Sequence, residues 1–220
     1  MVPASFSIAG EGPIVAASQE LAILVTAHTA VALPGRRAAL RRVPSWRPIT
    51  GQQTALPVLG RTVTAEGVAW LLVMLPGRPN GTQGWIEQRG TTEATTSWRL
   101  IVKTRSRRLL VYRGGRLVRN VAAIVGKPST PTPHGRFFVE ESVQMPVGSA
   151  GAPFALALSA HSDVLRAFEG GSGQIAIHGV ANLKGAVGTA SSHGCVRLAD
   201  RDIRWLAAHI APGVPVDIGS

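Results

Sequence analysis

The chain has 220 residues, of which 45% are hydrophobic and 16% charged, a composition that excludes an intrinsically disordered protein. Its formal net charge of +11 favours anionic partners, but its basic residues do not interleave with aromatic ones, so we expect no nucleic-acid partner. A single cysteine excludes an intrachain disulfide and a cysteine-rich zinc site, and no stretch is apolar enough to span a membrane.

The first half of the chain predicts a small β module after a leader. Residues 1–20 are mostly small and polar without any period, so we expect a disordered leader there. Residues 21–90 alternate short apolar runs, such as WLLVML, with turn signals such as Pro79-Asn80-Gly81. This pattern is typical of a small barrel or sandwich, and it resembles the SH3-like modules of bacterial envelope proteins.

The second half begins after a polar stretch. Residues 91–97 belong to a segment without any apolar residue larger than alanine, so we predict a linker. WRLIVK and RLLVYR then flank a polar turn and predict an antiparallel meander. FALALSA and QIAIHG predict further strands, and residues 142–153 between two strands have the composition of a surface loop.

One amphipathic helix is predicted near the C terminus. Four apolar residues share one face of it: Ile203, Leu206, Ala207 and Ile210. Asp200 is the expected N-cap, and Pro212-Gly213 ends the helix. The chain is therefore predicted to be mainly β, with one clear helix in its C-terminal region.

The sequence IAIHGVANLKGAVGTASSHGCVRL, residues 175 to 198, carries the candidate chemistry. His178 closes an apolar strand and can take the proton of the Cys195 thiol, which becomes a thiolate nucleophile. The turn Ser192-His193-Gly194 can aim backbone N–H groups at a carbonyl under attack. Arg197 lies on the same face as Cys195 if the chain is extended, where it can favour the thiolate, bind a carboxylate or brace the loop.

Two other interpretations of these residues stay open. A lone cysteine is among the most buried residue types and is usually inert. His178, His193 and Cys195 are also three ligands that could hold a zinc ion with water in the fourth position, although a His-X-Cys pair is an unusual chelating spacing. The residues alone thus allow a nucleophile, an inert thiol or a metal site.

The order IHG, small-residue loop and SHGCVRL resembles the signature of the L,D-transpeptidase family, whose catalytic domain is of the YkuD type. TPTPHGRF, APFALALSAHS and the closing GVPVDI resemble further family segments, so the resemblance extends from about Trp98 to Ile218. It implies a YkuD-type β-sandwich catalytic domain over residues 98–220, preceded by the SH3-like β-barrel. It also implies no cofactor and no metal ion.

The resemblance implies that Cys195 attacks the bond between the L-centre of diaminopimelate and D-Ala in a peptidoglycan tetrapeptide stem. An amine on a neighbouring stem then resolves the thioester, which makes a 3→3 cross-link. His178 is implied to be the general base, oriented by the carbonyl of Gly179, and His193 is implied to be the second active-site histidine. Arg197 occupies the basic position of the motif.

Other roles are also implied by the resemblance. Ser192 and Gly194 would frame the oxyanion hole. Residues 142–153 lie where family members carry a lid, and Met145 and Phe154 are the large apolar side chains there that would contact substrate. A carbapenem is implied to add covalently to the nucleophile.

Two alternatives to the transpeptidase remain. Water as the acceptor would make an L,D-carboxypeptidase, and a non-catalytic protein would bind the cell wall through its SH3-like half. The family resemblance implies peptidoglycan stems as partners, and the net charge favours an anionic wall polymer. The resemblance also implies an extracytoplasmic location at the cell wall or envelope, although residues 1–20 show no convincing signal peptide.

Overall fold

The computed structural model describes residues 15–36, 38–167 and 172–220. These residues form a mainly β protein, as the sequence predicts. The expected leader over residues 1–20 lies largely outside the described residues, and the first strand already begins at Gln19. Within the described ranges no helix has the length and apolar character needed to cross a membrane.

The N-terminal half forms one antiparallel sheet of seven strands. They are β1 (Gln19–Leu24), β2 (His28–Val31), β3 (Ala39–Val43), β4 (Ala55–Val63), β5 (Ala69–Met74), β6 (Gln83–Glu87) and β7 (Thr91–Thr96). Their order across the sheet is β3-β2-β6-β5-β4-β1-β7. Leu56, Leu71 and Ile86 from its central strands are fully buried, so this half has a core of its own. The likeness to an SH3 barrel stays a prediction.

The sequence analysis predicted a linker over residues 91–97, but the structure has a strand over most of this segment. Thr91–Thr96 form β7, which pairs with β1 from Gln19 opposite Thr96 to Leu24 opposite Thr91. Threonine is β-branched and favours strands, and an edge strand does not need large apolar residues on both faces. Strand β7 therefore leads directly into the next sheet without a flexible spacer.

The second half is built on an eight-stranded sheet. Its elements are β8 (Trp98–Lys103), β9 (Arg108–Arg113), β10 (Arg116–Ala122), β12 (Gly135–Gln144), β13 (Phe154–His161), β14 (Gln174–His178), β16 (Val196–Arg197) and β17 (Pro215–Gly219). The strand order is β10-β9-β8-β17-β12-β13-β14-β16. Two short strands, β11 (Val125–Gly126) and β15 (Ala190–Ser192), form a parallel pair beside it. The pair ties the segment before Cys195 to the body of the domain.

Helix α1 (Asp200–His209) follows β16 and closes the core of the second half. Ile203, Leu206 and Ile210 are buried in the same cluster as the strands, as the sequence pattern predicts. The N-cap is Ala199, one residue before the predicted Asp200, and it makes no side-chain capping hydrogen bond. Asp200 instead occupies the first turn, where a carboxylate is favoured by the partial positive charge of the helix N-terminus.

The two halves pack directly against each other. Phe138 of β12 is buried in the hydrophobic core of the N-terminal sheet. A buried ion pair joins Arg47 to Glu140, and the Glu141 carboxylate accepts hydrogen bonds from the Thr50 backbone N–H and hydroxyl, at 3.1 and 2.9 Å. These contacts hold the N-terminal half against strand β12 of the second sheet.

Candidate active site

Strands β14 and β16 place the predicted base and nucleophile on one face of the sheet. The two strands are parallel neighbours, with Ile177 opposite Val196 and His178 opposite Arg197. Ile177 and Val196 are fully buried in the core, so the alternation of side chains directs His178 and Arg197 to the other face. Cys195 immediately precedes Val196 and is therefore expected on the same face as His178.

This face opens on a cavity of about 410 Å³, and both Cys195 and His178 line it. Seven of the sixteen lining residues have purely apolar side chains: Met145, Ala150, Ala155, Leu165, Ile175, Ala176 and Leu183. Ser191 and His193 add polar groups beside the cysteine. Among the described residues that line the cavity, the charged ones are Lys184 and Arg197, both positive. The cavity therefore favours a ligand that combines apolar groups with a carboxylate.

The orientation of the His178 ring is fixed by a backbone carbonyl. Its Nδ1 donates to the carbonyl oxygen of Gly179 at 2.8 Å. Because a carbonyl oxygen only accepts, Nδ1 carries the proton in the neutral ring and Nε2 has the free lone pair. His178 thus has its basic nitrogen on the side away from Gly179, as general-base chemistry requires.

Burial keeps the His178 imidazole neutral. Desolvation lowers the pKa of His178 from its ordinary value of 6.5 to about 4; the hydrogen bond to Gly179 partly opposes this shift, and the positive charge of Arg197 adds to it. At neutral pH the ring is therefore a proton acceptor. This state suits a histidine that takes a thiol proton when substrate is bound.

Gly151 also lies against the His178 ring, close to Nδ1, and the sequence analysis did not identify it. A Cβ added at this position would lie 2.6 Å from His178 Nδ1, and the residue has φ of +83°, a conformation that favours glycine. The Gly179 N–H donates to the Gly151 carbonyl at 2.9 Å, and the Gly151 N–H donates to Ala181 at 2.8 Å. The imidazole is thereby held against two glycine backbones.

Ser192 shapes the turn that precedes Cys195. Its fully buried hydroxyl donates to the Cys195 carbonyl at 2.6 Å and accepts from the Gly194 N–H at 3.1 Å. Gly194 has φ of +121°, which other residues rarely adopt. The Gly194 N–H is thus used within the turn. Ser192 and Gly194 therefore define the geometry of the turn, and the oxyanion-hole role that the resemblance implies for them stays a prediction.

Two threonines of the TPTP segment anchor the same turn. The Thr132 hydroxyl donates to the Gly194 carbonyl at 2.8 Å and accepts from the Gly126 N–H at 2.9 Å. The Thr130 hydroxyl donates to the Ser192 carbonyl at 3.2 Å. The sequence analysis noted this segment only as a likeness to the family. The alternation of threonine and proline in this segment could have indicated that the threonine hydroxyls form hydrogen bonds with backbone groups.

Arg197 is buried at the edge of the cavity. Its Nη1 donates to the Lys184 carbonyl at 3.0 Å, which fixes the wide loop between β14 and β15. Its Nε is buried and has no hydrogen-bond partner among the residues that the structure describes. Of the three roles considered for Arg197, bracing of the loop is thus directly visible.

Met145 and Phe154, the two residues near the lid that are predicted to contact substrate, lie in different places in the structure. Met145 lines the cavity of Cys195, whereas Phe154 lies outside it, at the start of β13, and is partly buried against the core. The loop itself is shorter than the predicted 142–153, because β12 continues to Gln144 and Ser142 to Gln144 pair with β13. Of the large apolar residues expected at the cavity, the loop contributes Met145.

The zinc interpretation lacks a suitable ligand set in the part of the chain that the structure describes. There, no three His, Cys, Asp or Glu side chains gather in a way that could hold a metal ion. His178, His193 and Cys195 line the same cavity, but they do not form such a group. Cys195 and His178 line one cavity, which a cysteine with a histidine base would require.

Comparison with known proteins identifies a family for the second half of the chain. The family model of YkuD, the L,D-transpeptidase catalytic domain, matches residues 97–218. A Bacillus licheniformis protein named as a YkuD L,D-transpeptidase is 33% identical over 124 residues, which are 56% of this chain and 67% of that protein. L,D-transpeptidase 1 of Mycobacterium tuberculosis is 30% identical over 116 residues, 49% of this chain and 45% of that protein.

A comparison with solved structures gives only a partial likeness. L,D-transpeptidase 3 of Mycobacterium tuberculosis, in complex with a faropenem-derived adduct, covers 76% of this chain and 91% of its own at 15% identity. The TM-score is 0.49, so this superposition is too loose to bear on function.

Proposed function

Because the chain belongs to the YkuD family of L,D-transpeptidases, we propose that it is a cysteine-dependent acyltransferase acting on peptidoglycan stem peptides. One observation supports this most strongly: the register of β14 and β16 brings Cys195 and His178 to one cavity, with the free lone pair on His178 Nε2. A thiol and a neutral imidazole on one face are the groups that acyl transfer through a thioester needs.

The proposed first step forms an acyl-enzyme. The Cys195 thiol gives its proton to His178 Nε2, and its sulfur attacks the carbonyl at the L-centre of diaminopimelate in a tetrapeptide stem. The bond between that carbonyl and the nitrogen of D-Ala breaks. The proton moves from His178 to the departing nitrogen, so that D-Ala leaves as a neutral amine and a thioester remains on Cys195.

The second step returns the enzyme to its starting state. An amine of a neighbouring stem attacks the thioester carbonyl and gives a proton to His178, and the Cys195 sulfur leaves. A new amide bond joins the two stems as a 3→3 cross-link, and the proton returns to the sulfur. His193, which lines the cavity beside Cys195, is the proposed second histidine of the site.

The charge of the cavity supports a carboxylate-bearing donor. Lys184 and Arg197 line it, and the described lining residues include no Asp or Glu. A stem that ends in D-Ala and contains diaminopimelate presents carboxylates beside short aliphatic groups, which this lining complements. Since the substrate is part of the cell wall, we place the site of action outside the cytoplasm, where the net charge of +11 also favours anionic wall polymer.

The test uses the purified 220-residue chain and a disaccharide tetrapeptide with diaminopimelate. The wild type is expected to release D-Ala and to produce cross-linked dimers, whereas Cys195→Ala produces neither and keeps the wild-type circular dichroism spectrum. Release of D-Ala without dimers, with an amine acceptor in excess, would identify an L,D-carboxypeptidase. Absence of both products from the folded wild type would refute the proposal and favour the wall-binding alternative.

A further inference from the structure

A turn of the N-terminal sheet contacts the wall of the cavity in the other half. The turn between β5 and β6 carries Arg78, whose Nη1 donates to the Ser162 carbonyl at 2.7 Å. Its Nη2 donates to the carbonyls of Leu165 and Ser172, at 3.1 and 3.2 Å. One guanidinium therefore joins both ends of the connection between β13 and β14.

Asn80 of the same turn pairs with the end of β13. Its amide Nδ2 donates to the His161 carbonyl at 2.7 Å, and its Oδ1 accepts the His161 N–H at 2.9 Å. The side-chain amide thus offers the same donor and acceptor that a neighbouring strand would present to His161. Nδ2 also donates to the Asp163 carboxylate at 3.1 Å, which extends the contact into the connection.

The segment held in this way is a wall of the candidate active site. Ser162, Leu165 and Gly173 line the cavity together with Cys195 and His178. The Ser162 hydroxyl accepts the Leu165 N–H at 3.0 Å, and the Ser162 N–H donates to the Gly173 carbonyl at 2.8 Å. Two of the three carbonyls that Arg78 holds therefore belong to residues on the cavity surface.

The residues that hold the wall lie outside the matched catalytic domain. The family model begins at residue 97, whereas Arg78 and Asn80 belong to the N-terminal sheet. The carbonyl of Arg78 is itself hydrogen-bonded by Arg41 of β3, so the turn is fixed from within that sheet. Hydrogen bonds from a guanidinium are stronger than neutral ones, and the fork of Arg can hold several carbonyls at once. The geometry of this wall depends on the N-terminal module.

We propose that Arg78 and Asn80 are positioning residues for donor binding. By holding residues 162–165 and 172–173, they keep the cavity in the shape that takes the stem peptide. This inference rests on the proposed function, because the ligand is the acyl donor of that reaction. Neither residue lines the cavity, so their effect passes through the wall to substrate binding and not to the bond-breaking step.

The test compares Arg78→Ala, Arg78→Lys and Asn80→Asp, each in the 220-residue chain, with the wild type in the release of D-Ala from the tetrapeptide. Arg78→Ala is expected to raise KM about tenfold and to change kcat less than about twofold. Arg78→Lys retains one charged donor and is expected to recover part of the affinity. Asn80→Asp retains the acceptor for the His161 N–H but loses the donor, and it too is expected to raise KM.

Arg61→Ala is the matched control. Arg61 lies in the same N-terminal sheet and forms exposed ion pairs with Glu20 and Glu93, away from the cavity. Its KM and kcat are expected to equal those of the wild type. Thermal unfolding of every variant shows that each is folded at the assay temperature.

The outcomes separate the two proposals. An active wild type whose KM is unchanged in both Arg78→Ala and Asn80→Asp overturns the positioning role and leaves the proposed function intact. Equal rises of KM in Arg61→Ala and Arg78→Ala would also overturn it, because the effect would then be general to the module. A folded wild type that releases no D-Ala refutes the proposed function and, with it, this role in donor binding.

Discussion

Acidification is expected to leave the reaction active well below the ordinary pKa of histidine. Burial lowers the pKa of His178 to about 4, and the base must be neutral to accept the thiol proton. At pH 5.5 a group with pKa 4 is about 97% neutral, whereas one with pKa 6.5 is about 9% neutral. The structure therefore predicts that kcat/KM at pH 5.5 keeps most of its value at pH 7.5, whereas a base with the ordinary pKa would lose about tenfold.

The assay is the rate of D-Ala release at low substrate concentration, measured from pH 3.5 to 8 at constant ionic strength. An acidic limb with its midpoint near pH 4 is the expected result. Arg197→Gln removes one of the causes that lower the pKa of His178, so its acidic limb should move upward, while Arg197→Lys keeps the charge and should move less. A wild-type midpoint near pH 6.5 would refute the assignment of a buried, neutral base.

The same pKa shift has a consequence for folding. The folded pKa of His178 lies below the unfolded value, so protonation favours the unfolded chain. This contribution to stability is complete above pH 6.5 and is lost as the pH falls through about 4. A shift from 6.5 to about 4 corresponds to about 3 kcal/mol. His178→Gln should therefore lose less stability between pH 7 and pH 4 than the wild type does in urea unfolding.

Three further substitutions test the contacts around the site and between the halves. Ser192→Ala leaves the Gly194 N–H and the Cys195 carbonyl without their hydrogen-bond partner. It should therefore lower the free energy of unfolding in urea by about 2 kcal/mol and slow the acylation of Cys195. An unchanged free energy of unfolding and an unchanged acylation rate would contradict the role of the turn. Gly151→Ala places a Cβ 2.6 Å from His178 Nδ1 and should lower kcat about 100-fold, which a wild-type kcat would contradict. Arg47→Ala leaves Glu140 buried without its partner and should lower the free energy of unfolding by about 3 to 5 kcal/mol. An unchanged free energy of unfolding would contradict a stabilising role of this ion pair between the halves.

The sequence was most informative where function depends on local motifs. The spacing of IHG and SHGCVRL identified Cys195, His178, His193 and Arg197, and all four line one cavity. The helix was also predicted from its apolar face, since Ile203, Leu206 and Ile210 are buried. Such features can be predicted because their geometry depends on the periodicity of side chains or on residues close together in the sequence.

The remaining features depend on contacts between distant residues. Thr91–Thr96 form a strand because β1 offers a free edge far away in sequence, which composition alone does not show. Phe154 is close in sequence to the lid, but its side chain is partly buried against the core. Arg78 and Asn80 contact residues more than eighty positions away, so only the packing of the two halves shows their position at the cavity wall.

Covalent trapping of the nucleophile tests the central claim most directly. Intact-mass spectrometry after incubation of the wild type with the tetrapeptide stem should show one adduct with the mass of the stem minus D-Ala, and peptide mapping should place it on Cys195. Cys195→Ala should show no adduct, and His178→Gln should form it far more slowly. An adduct on another residue, or none on the folded wild type, would contradict the assignment of Cys195 and His178 as the acyl-transfer pair.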